Sequence, residues 1–275
     1  MKKMLHLGLK NKSIRLLFAM LNAKEKFIRF WLEKKATKEV REKGVYDIPI
    51  VINNFNRYNA MVKLIDWLRN AGHKNIIILD NQSTYPPLLE YYRQNTFCTV
   101  IHLGANLGHK ALWKSGVYKK IRNGYFCYTD PDLVPVAECP ENLVSHLFEL
   151  LCRYPNVVKV GSGLRISDIP DHYEHKDRVV VWESRYWQNP VEENVYNADL
   201  DTTFAIYRPR TLHNTHFPAL RTGEPYVMHH TPWYEDVDRL TEEELFYRNK
   251  SSGISWWSDS TSIGVDKINK ILGLG

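Results

Sequence analysis

Apolar residues in the middle of this 275-residue chain follow two alternating patterns. Short continuous apolar runs, at residues 48–52, 76–79, 99–103 and 125–128, are typical of strands that are buried on both faces. Between these runs, apolar residues recur at intervals of three and four, as on one face of an α-helix. The alternation predicts a β-α-β-α-β-α-β unit, and therefore a parallel sheet of nucleotide-binding type.

The second half of the chain has a mixed pattern. Residues 140–154 place leucines on one helical face, and residues 157–160 predict a further strand. Another strand is predicted over residues 202–207, directly after Asp201. Thr241, followed three residues later by Glu244, is typical of a helix start, and we expect that helix to be solvated.

The N-terminal 43 residues differ from the rest in charge. They hold 13 Lys and Arg against 4 Glu, whereas the whole chain has a net charge of only +6, so the remainder is slightly acidic. Ile14, Leu17, Phe18, Leu21, Ile28 and Leu32 share one helical stripe. The run at residues 16–21 is too short for a membrane span, and no signal-peptide cleavage pattern follows it. Peripheral membrane contact and packing against the body or a partner subunit all remain open.

Composition narrows the class of protein. An apolar content of 44% with 25% charged residues is that of a globular protein, and the slightly acidic body argues against nucleic-acid binding. The four cysteines lack metal-ligand spacing and favour a reduced, cytoplasmic compartment, with peripheral membrane attachment as a further expectation.

Polar side chains follow each of the first four predicted strands. The four groups are Asn53, Asn54 and Arg57, then Asp80 and Ser83, then Asn106 and His109, and finally Asp130 and Asp132. Ligands of α/β sheets bind beyond the carboxyl ends of the strands, so we expect these groups to form one binding edge. No Gly-x-Gly-x-x-Gly or Gly-Lys-Ser/Thr loop is present in the sequence, which argues against dinucleotide oxidoreductases and P-loop enzymes.

Two carboxylates one residue apart mark the end of the fourth strand. Asp130 and Asp132 have no basic residue beside them in the sequence, so they repel each other unless a cation lies between them. A divalent metal that also contacts a phosphate-bearing ligand satisfies this requirement. The pair therefore predicts a metal site.

Four segments in consecutive order carry a family resemblance. They read IPIVINNFNR, ILDNQS, NLGH and DPD, and they lie within residues 48–135. This part of the chain resembles GT-A glycosyltransferases of the family 2 type. The resemblance implies an α/β fold of GT-A (nucleotide-diphospho-sugar transferase) type, with a mostly parallel central sheet flanked by helices, to which this chain adds an N-terminal amphipathic helix.

The resemblance also implies a nucleotide-sugar donor, either a UDP-sugar or a GDP-sugar. In such enzymes the ends of the first two strands hold the base and ribose, which corresponds here to Asn53, Arg57 and Asp80. Asn106 and His109 are expected on the same donor-binding edge.

The same resemblance assigns the metal ligands. Asp130 would contact ribose and metal, and Asp132 would contact the metal. Several GT-A enzymes complete the metal shell with a C-terminal histidine, and His230 before Pro232-Trp233 resembles that element. Since adjacent side chains point differently, only one of His229 and His230 is expected to bind. The implied ion is Mn²⁺, with Mg²⁺ as the alternative.

For the acceptor, two carboxylates are candidates. In the resembled enzymes the strand after Asp201 runs beside the metal site, so Asp201 would bind or deprotonate an acceptor hydroxyl. Glu224 is the second candidate catalytic residue. Inversion and retention at the anomeric centre both remain open.

The leading hypothesis is a metal-dependent, hexosyltransferase-type enzyme that acts on a glycan or lipid-linked saccharide. A nucleotidyltransferase is the alternative, although such enzymes usually have a Gly-rich basic loop after the first strand. A non-catalytic sugar- or nucleotide-binding module is the third. The expected organisation is a helical extension over residues 1–43 and one domain over residues 44–275, with a nucleotide-binding half (48–135) and an acceptor-binding half with a C-terminal tail (136–275).

Overall fold

The computed structural model describes residues 12–201, 203–213 and 218–251. Its first half alternates strands and helices as the apolar pattern predicts. The elements are α1 (Lys12–Lys43), β1 (Ile50–Asn54), α2 (Asn59–Asn70), β2 (Ile76–Asp80), α3 (Pro86–Gln94), β3 (Thr99–His102), α4 (Ala111–Lys114), α5 (Val117–Ile121), β4 (Phe126–Thr129) and β5 (Leu133–Pro135). The helix predicted before β4 is thus two short helices, which are separated at Ser115 and Gly116.

The second half contains more strands than the sequence indicates. Its elements are α6 (Leu143–Arg153), β6 (Lys159–Leu164), α7 (Lys176–Ser184), β7 (Pro190–Glu192), β8 (Val195–Asn197), β9 (Ala205–Tyr207), β10 (Ala219–His230) and α8 (Glu242–Lys250). The β7–β8 hairpin and most of β10 were not predicted. The tail beyond residue 251, including Trp256 and Trp257, lies outside the described residues.

One sheet contains all of these strands, in the order β3-β2-β1-β4-β9-β6-β10-β8-β7, with β5 paired to the end of β10. Strands β3, β2, β1 and β4 are mutually parallel. Strand β9 is antiparallel to both of its neighbours, β4 and β6, so β6 again runs in the direction of β4. Strand β10 is parallel to β6. The largely parallel sheet predicted for this α/β chain is confirmed.

Alternate residues of the central strands pack against opposite layers. Ile50 and Ile52 face the core that α2, α3 and α6 cover, whereas Val51 faces the smaller core beneath α4 and α5. The period of two along a strand requires this division. It explains why the central strands read as continuous apolar runs, since both faces are buried.

Strand β10 is interrupted in its middle. Thr222 pairs with Ser162 and Val227 with Gly163, so four residues of β10 bulge out between two consecutive positions of β6. Beyond the bulge, Met228, His229 and His230 pair antiparallel with Pro135, Val134 and Leu133 of β5. The 12-residue strand therefore reaches the edge of the sheet where β4 ends.

Helix α1 lies against the body along one face. Ala36 is buried, Ile28 and Leu32 are partly buried, and the Thr37 hydroxyl is 2.8 Å from that of Tyr125. The stripe predicted from the sequence faces the body where its side chains are described; the side chains of residues 14–21 are outside the described part. No helix among the described residues is long and apolar enough to cross a membrane.

Helix α8 is not solvated as the sequence suggested. Thr241 caps it as predicted, accepting a hydrogen bond from the Glu244 N–H at 3.2 Å. Glu243 and Glu244 are nevertheless buried, because α8 packs onto the start of α2. The two carboxylate oxygens of Glu243 accept hydrogen bonds from the N–H groups of Tyr58 and Asn59, both at 2.9 Å. A distant residue thus caps α2, whose own first residues provide no side-chain cap.

This cap can be tested by substitution. Glu243→Ala leaves two N–H groups at the start of α2 without their acceptor, so it should lower the free energy of unfolding by about 1–2 kcal/mol. The exposed neighbour gives a matched control, and Glu242→Ala should stay within about 0.5 kcal/mol of the wild type. Urea unfolding measures both values. Equal effects of the two substitutions would contradict the cap.

Candidate functional site

The predicted polar groups gather along one edge of the sheet. Because β1 to β4 are parallel, their carboxyl ends lie on the same side, and the register sets Asn54 beside Asp80 and Asp80 beside His102. Asp130 and Asp132 lie between the end of β4 and the start of β5. The structure therefore brings together the strand-end residues that the sequence assigned to the donor.

Asp80 is the most enclosed carboxylate of this edge, with 3% exposure. Its oxygens accept from the Ser83 N–H at 3.3 Å and from the Tyr92 hydroxyl at 3.4 Å. The imidazole of His102 lies 3.2 Å away, and its own side chain is largely exposed. His102 thus stands between Asp80 and solvent, and the sequence analysis did not identify it.

Asn53 is held by a second residue that the sequence analysis missed. Asn81 donates to the Asn53 carboxamide oxygen at 2.6 Å and accepts from the Leu107 N–H at 3.0 Å. This contact fastens the loop after β3 to the end of β1. Within that loop, Asn106 is exposed and accepts from the Gly108 N–H at 2.9 Å, which is a local turn contact.

Arg57 is buried against helix α8. Its guanidinium pairs with Glu244 and lies 3.6 Å from the centre of the Tyr247 ring. Burial alone would lower the Arg57 pKa, but the carboxylates of Asp132 and Glu244 outweigh burial and raise it. Glu244 and Tyr247 are therefore site-bordering residues, and only the helix-start pattern at Thr241 hinted at them.

The pairing of β5 with β10 brings a histidine to the Asp-x-Asp segment. His230 is opposite Leu133 in the ladder, and the Thr231 N–H donates to the Asp132 carbonyl at 2.9 Å. As a result, His230 Nε2 lies 3.7 Å from Asp132 Oδ2. These two groups are 98 residues apart in the chain, yet strand pairing makes them neighbours.

The two adjacent histidines point to different partners. His229 Nε2 is 2.9 Å from Asp168 Oδ2, and the Tyr234 hydroxyl donates to the other oxygen of Asp168 at 2.6 Å. His230 instead faces Asp132 and lies edge-on to the Trp233 ring. Alternation along β10 separates them. The geometry favours His230 over His229 as a metal ligand.

The donor atoms of Asp132 and His230 fit a divalent cation. Their separation of 3.7 Å is long for a hydrogen bond, but two ligands of one cation with bonds of about 2 Å lie at comparable distances. Burial lowers the His230 pKa, which favours the neutral imidazole that metals require. Among the described residues no group of three or more His, Cys, Asp or Glu side chains forms a ready metal cage. A ligand phosphate would have to supply further oxygens.

The two candidate acceptor carboxylates lie in different surroundings. Asp201 is exposed and lies close to His109. Burial lowers the pKa of His109, and the negative charge of Asp201 opposes that shift in part. The His109 ring is 5.5 Å from the ring of His213. Glu224, in the β10 bulge, accepts two hydrogen bonds from Arg165 at 2.8 and 2.7 Å.

A cavity of about 340 Å³ lies beside Glu224. It is lined by Arg165, Ile166, Ser167, Ser184, Trp187, Asn194, Tyr196, Gly223 and Glu224. Trp187 packs so closely over Gly163 that a Cβ there would lie 2.5 Å from the indole ring. An aromatic wall beside a charged pair is suited to a saccharide, which offers both apolar ring faces and hydroxyl groups.

These features define a GT-A type of sheet, with polar side chains along its carboxyl edge and with Asp132 and His230 close together there. The family model described as glycosyl transferase family 2 matches residues 50–214. This match covers more than half of the chain, so the chain belongs to glycosyl transferase family 2. No curated protein matches it significantly by sequence.

Several solved structures are similar to this chain over part of its length. Glucosyl-3-phosphoglycerate synthase from Mycobacterium tuberculosis, in complex with Mn²⁺ and UDP-glucose, has 17% identity and a TM-score of 0.37, with coverage of 60% of this chain and 57% of that one. GalNAc-T7 with UDP, GalNAc and Mn²⁺ has 12% identity and a TM-score of 0.43, with coverage of 84% and 55%. The chain thus spans little more than half the length of these proteins.

The choice between the two histidines is open to a direct measurement. His230→Ala should weaken Mn²⁺ binding in the presence of a nucleoside diphosphate at least about tenfold, because one of few protein ligands is lost. His229→Ala, the matched control, should change it less than about twofold, because its imidazole faces Asp168. Titration calorimetry gives both affinities. A larger loss for His229→Ala would reverse the assignment.

Proposed function

We propose that this protein is a metal-dependent glycosyltransferase that moves a hexosyl group from a UDP- or GDP-sugar to a hydroxyl of a glycan or lipid-linked saccharide. The observation that carries the proposal is the Asp132–His230 pair at the carboxyl edge of the sheet. Asp132 lies inside the segment that matches family 2, and His230 lies outside it. Membership of that family supports the reaction class.

The donor would lie along the edge formed by β1, β2 and β4. Asn53 and Asp80 would receive the base and ribose, and His102 would have to turn aside to open Asp80. Arg57 is a permanent cation close to Asp132, so it would face the diphosphate. Glu244 neutralises Arg57 when no donor is bound, and it would compete with the phosphates for the same guanidinium.

Asp132 and His230 would hold the metal, with Asp130 beside the ribose and metal as the family resemblance implies. When bound, the metal would stabilise the negative charge of the departing nucleoside diphosphate. Desolvation lowers the pKa of His230, which favours the neutral imidazole that a metal requires, and its Nε2 is directed to Asp132. The protein residues would thus orient the diphosphate, and they would hold its sugar towards the acceptor.

Asp201 is the better candidate for the base that takes the acceptor proton in an inverting reaction. It is exposed, so an incoming hydroxyl could reach it. The charges of Asp201 and Asp130 both raise the pKa of Tyr207, so the two carboxylates lie near the same side chain. Glu224 is held in a two-point ion pair with Arg165. A carboxylate fixed in this way is suited to binding acceptor hydroxyls in the adjoining cavity.

Turnover tests the reaction class. With UDP- and GDP-sugars as donors, the wild type should release nucleoside diphosphate in a Mn²⁺-dependent reaction, and Asp132→Asn should lower the rate at least about a hundredfold. Asp66→Asn, on the exposed side of α2, is the matched control and should keep wild-type activity. Nucleotide binding without any turnover would support the binding module instead. Release of pyrophosphate from a nucleoside triphosphate would support the nucleotidyltransferase.

The two acceptor carboxylates should separate in steady-state kinetics. Asp201→Asn should lower kcat by about 10²- to 10⁴-fold with Mn²⁺ affinity unchanged, since a general base is lost. Glu224→Gln should mainly raise the acceptor KM, because it weakens binding shared by ground and transition states. If Glu224→Gln lowers kcat and Asp201→Asn does not, then Glu224 is the base and the assignment of Asp201 is wrong.

A further inference from the structure

Helix α1 has an outer face that the body leaves uncovered. Phe27, Phe30 and Trp31 are 67%, 55% and 61% exposed. Their spacing of three and four residues places them side by side on one helical face. Large aromatic side chains grouped in this way are unusual on a protein surface unless something covers them.

The inner face of α1 is fixed, so these aromatic residues cannot turn inward. Ala36 is buried, and Thr37 contacts the Tyr125 hydroxyl at 2.8 Å. Arg41 donates to Glu149 at 2.7 Å. These contacts of the last turns with the body set the rotation of the helix about its axis, and Phe27 lies half a turn away from Ala36.

Two of the four glutamates of α1 face the body, where Glu33 pairs with Arg208 and Glu25 pairs with Arg210 at 2.8 Å. The other two, Glu39 and Glu42, lie in the last turns and pair with Lys43 and Lys38 of the same helix. Exposed lysines surround the aromatic residues, namely Lys24, Lys34, Lys35 and Lys38. The Lys34 ammonium is 4.8 Å from the centre of the Phe30 ring. The outer face therefore combines apolar rings with positive charge.

We propose that this outer face of α1 is a peripheral binding surface for an anionic lipid bilayer. Aromatic rings partition into the boundary between head groups and acyl chains, while lysines contact acidic head groups at the surface. A second copy of the chain is a poorer occupant, because pairing two such faces would bring their lysines together. The surface operates independently of the sugar-transfer reaction, because α1 contacts Tyr125 just before the start of β4, whereas Asp130 and Asp132 follow the end of that strand.

Vesicle flotation tests the surface directly. The full chain should float with vesicles of phosphatidylcholine containing about one third phosphatidylglycerol, and much less with phosphatidylcholine alone. Phe27→Ser/Phe30→Ser/Trp31→Ser should reduce flotation at least about tenfold. Val181→Ser/Val191→Ser removes exposed apolar side chains elsewhere and should float as the wild type does.

A charge variant separates the two contributions. Lys34→Glu/Lys38→Glu should abolish the preference for anionic vesicles, and added salt should weaken wild-type binding. Undiminished flotation of the triple serine variant would overturn the proposal. So would a wild-type dimer in light scattering that the triple variant converts to a monomer, since the face would then be a contact between copies. Activity on a soluble acceptor should be unaffected by either set of substitutions.

Discussion

The antiparallel pairing of the three-residue strand β5 with the end of β10 is the constraint on which the candidate metal site depends. It joins the segment after the Asp-x-Asp pair to a strand almost a hundred residues later, and it places the His230 imidazole next to the Asp132 carboxylate. Neither group would meet the other through local structure. Strand β10 also pairs in parallel with β6. The position of the histidine is therefore set by the pairing of β10 with both β5 and β6.

Helix α8 adds a second link between the end of the described chain and its beginning. Glu243 caps α2, and Glu244 forms a buried pair with Arg57. A buried ion pair returns little net stability, because desolvation offsets the attraction, but removal of one partner leaves a charge without compensation. Arg57 is therefore kept in one orientation close to Asp132. An approaching phosphate could compete with Glu244 for Arg57, because phosphate and carboxylate oxygens both carry negative charge and accept hydrogen bonds from a guanidinium.

The parallel half of the fold could be predicted from the sequence because each strand is buried on both faces and each helix has one apolar face. The gathering of polar side chains, including Asp80 and Asp132, at the carboxyl ends of these strands followed from the same topology. The second half could not be predicted as well, since strands of three residues such as β7 and β8 carry too little periodicity. Glu243 and Glu244 were misjudged for another reason. A charged helix start reads as solvated unless its distant partners, here Arg57 and the first turn of α2, are known.

The bulge in β10 has a consequence for how this protein can vary. It inserts four unpaired residues between Thr222 and Val227, whose partners Ser162 and Gly163 are consecutive in β6. Which face His229 and His230 occupy is set by the pairing beyond the bulge, with β6 and then with β5, and not by the residues inside it. The bulge carries Glu224 and borders the cavity, so this loop can change in length and composition while the contact between His230 and Asp132 is kept.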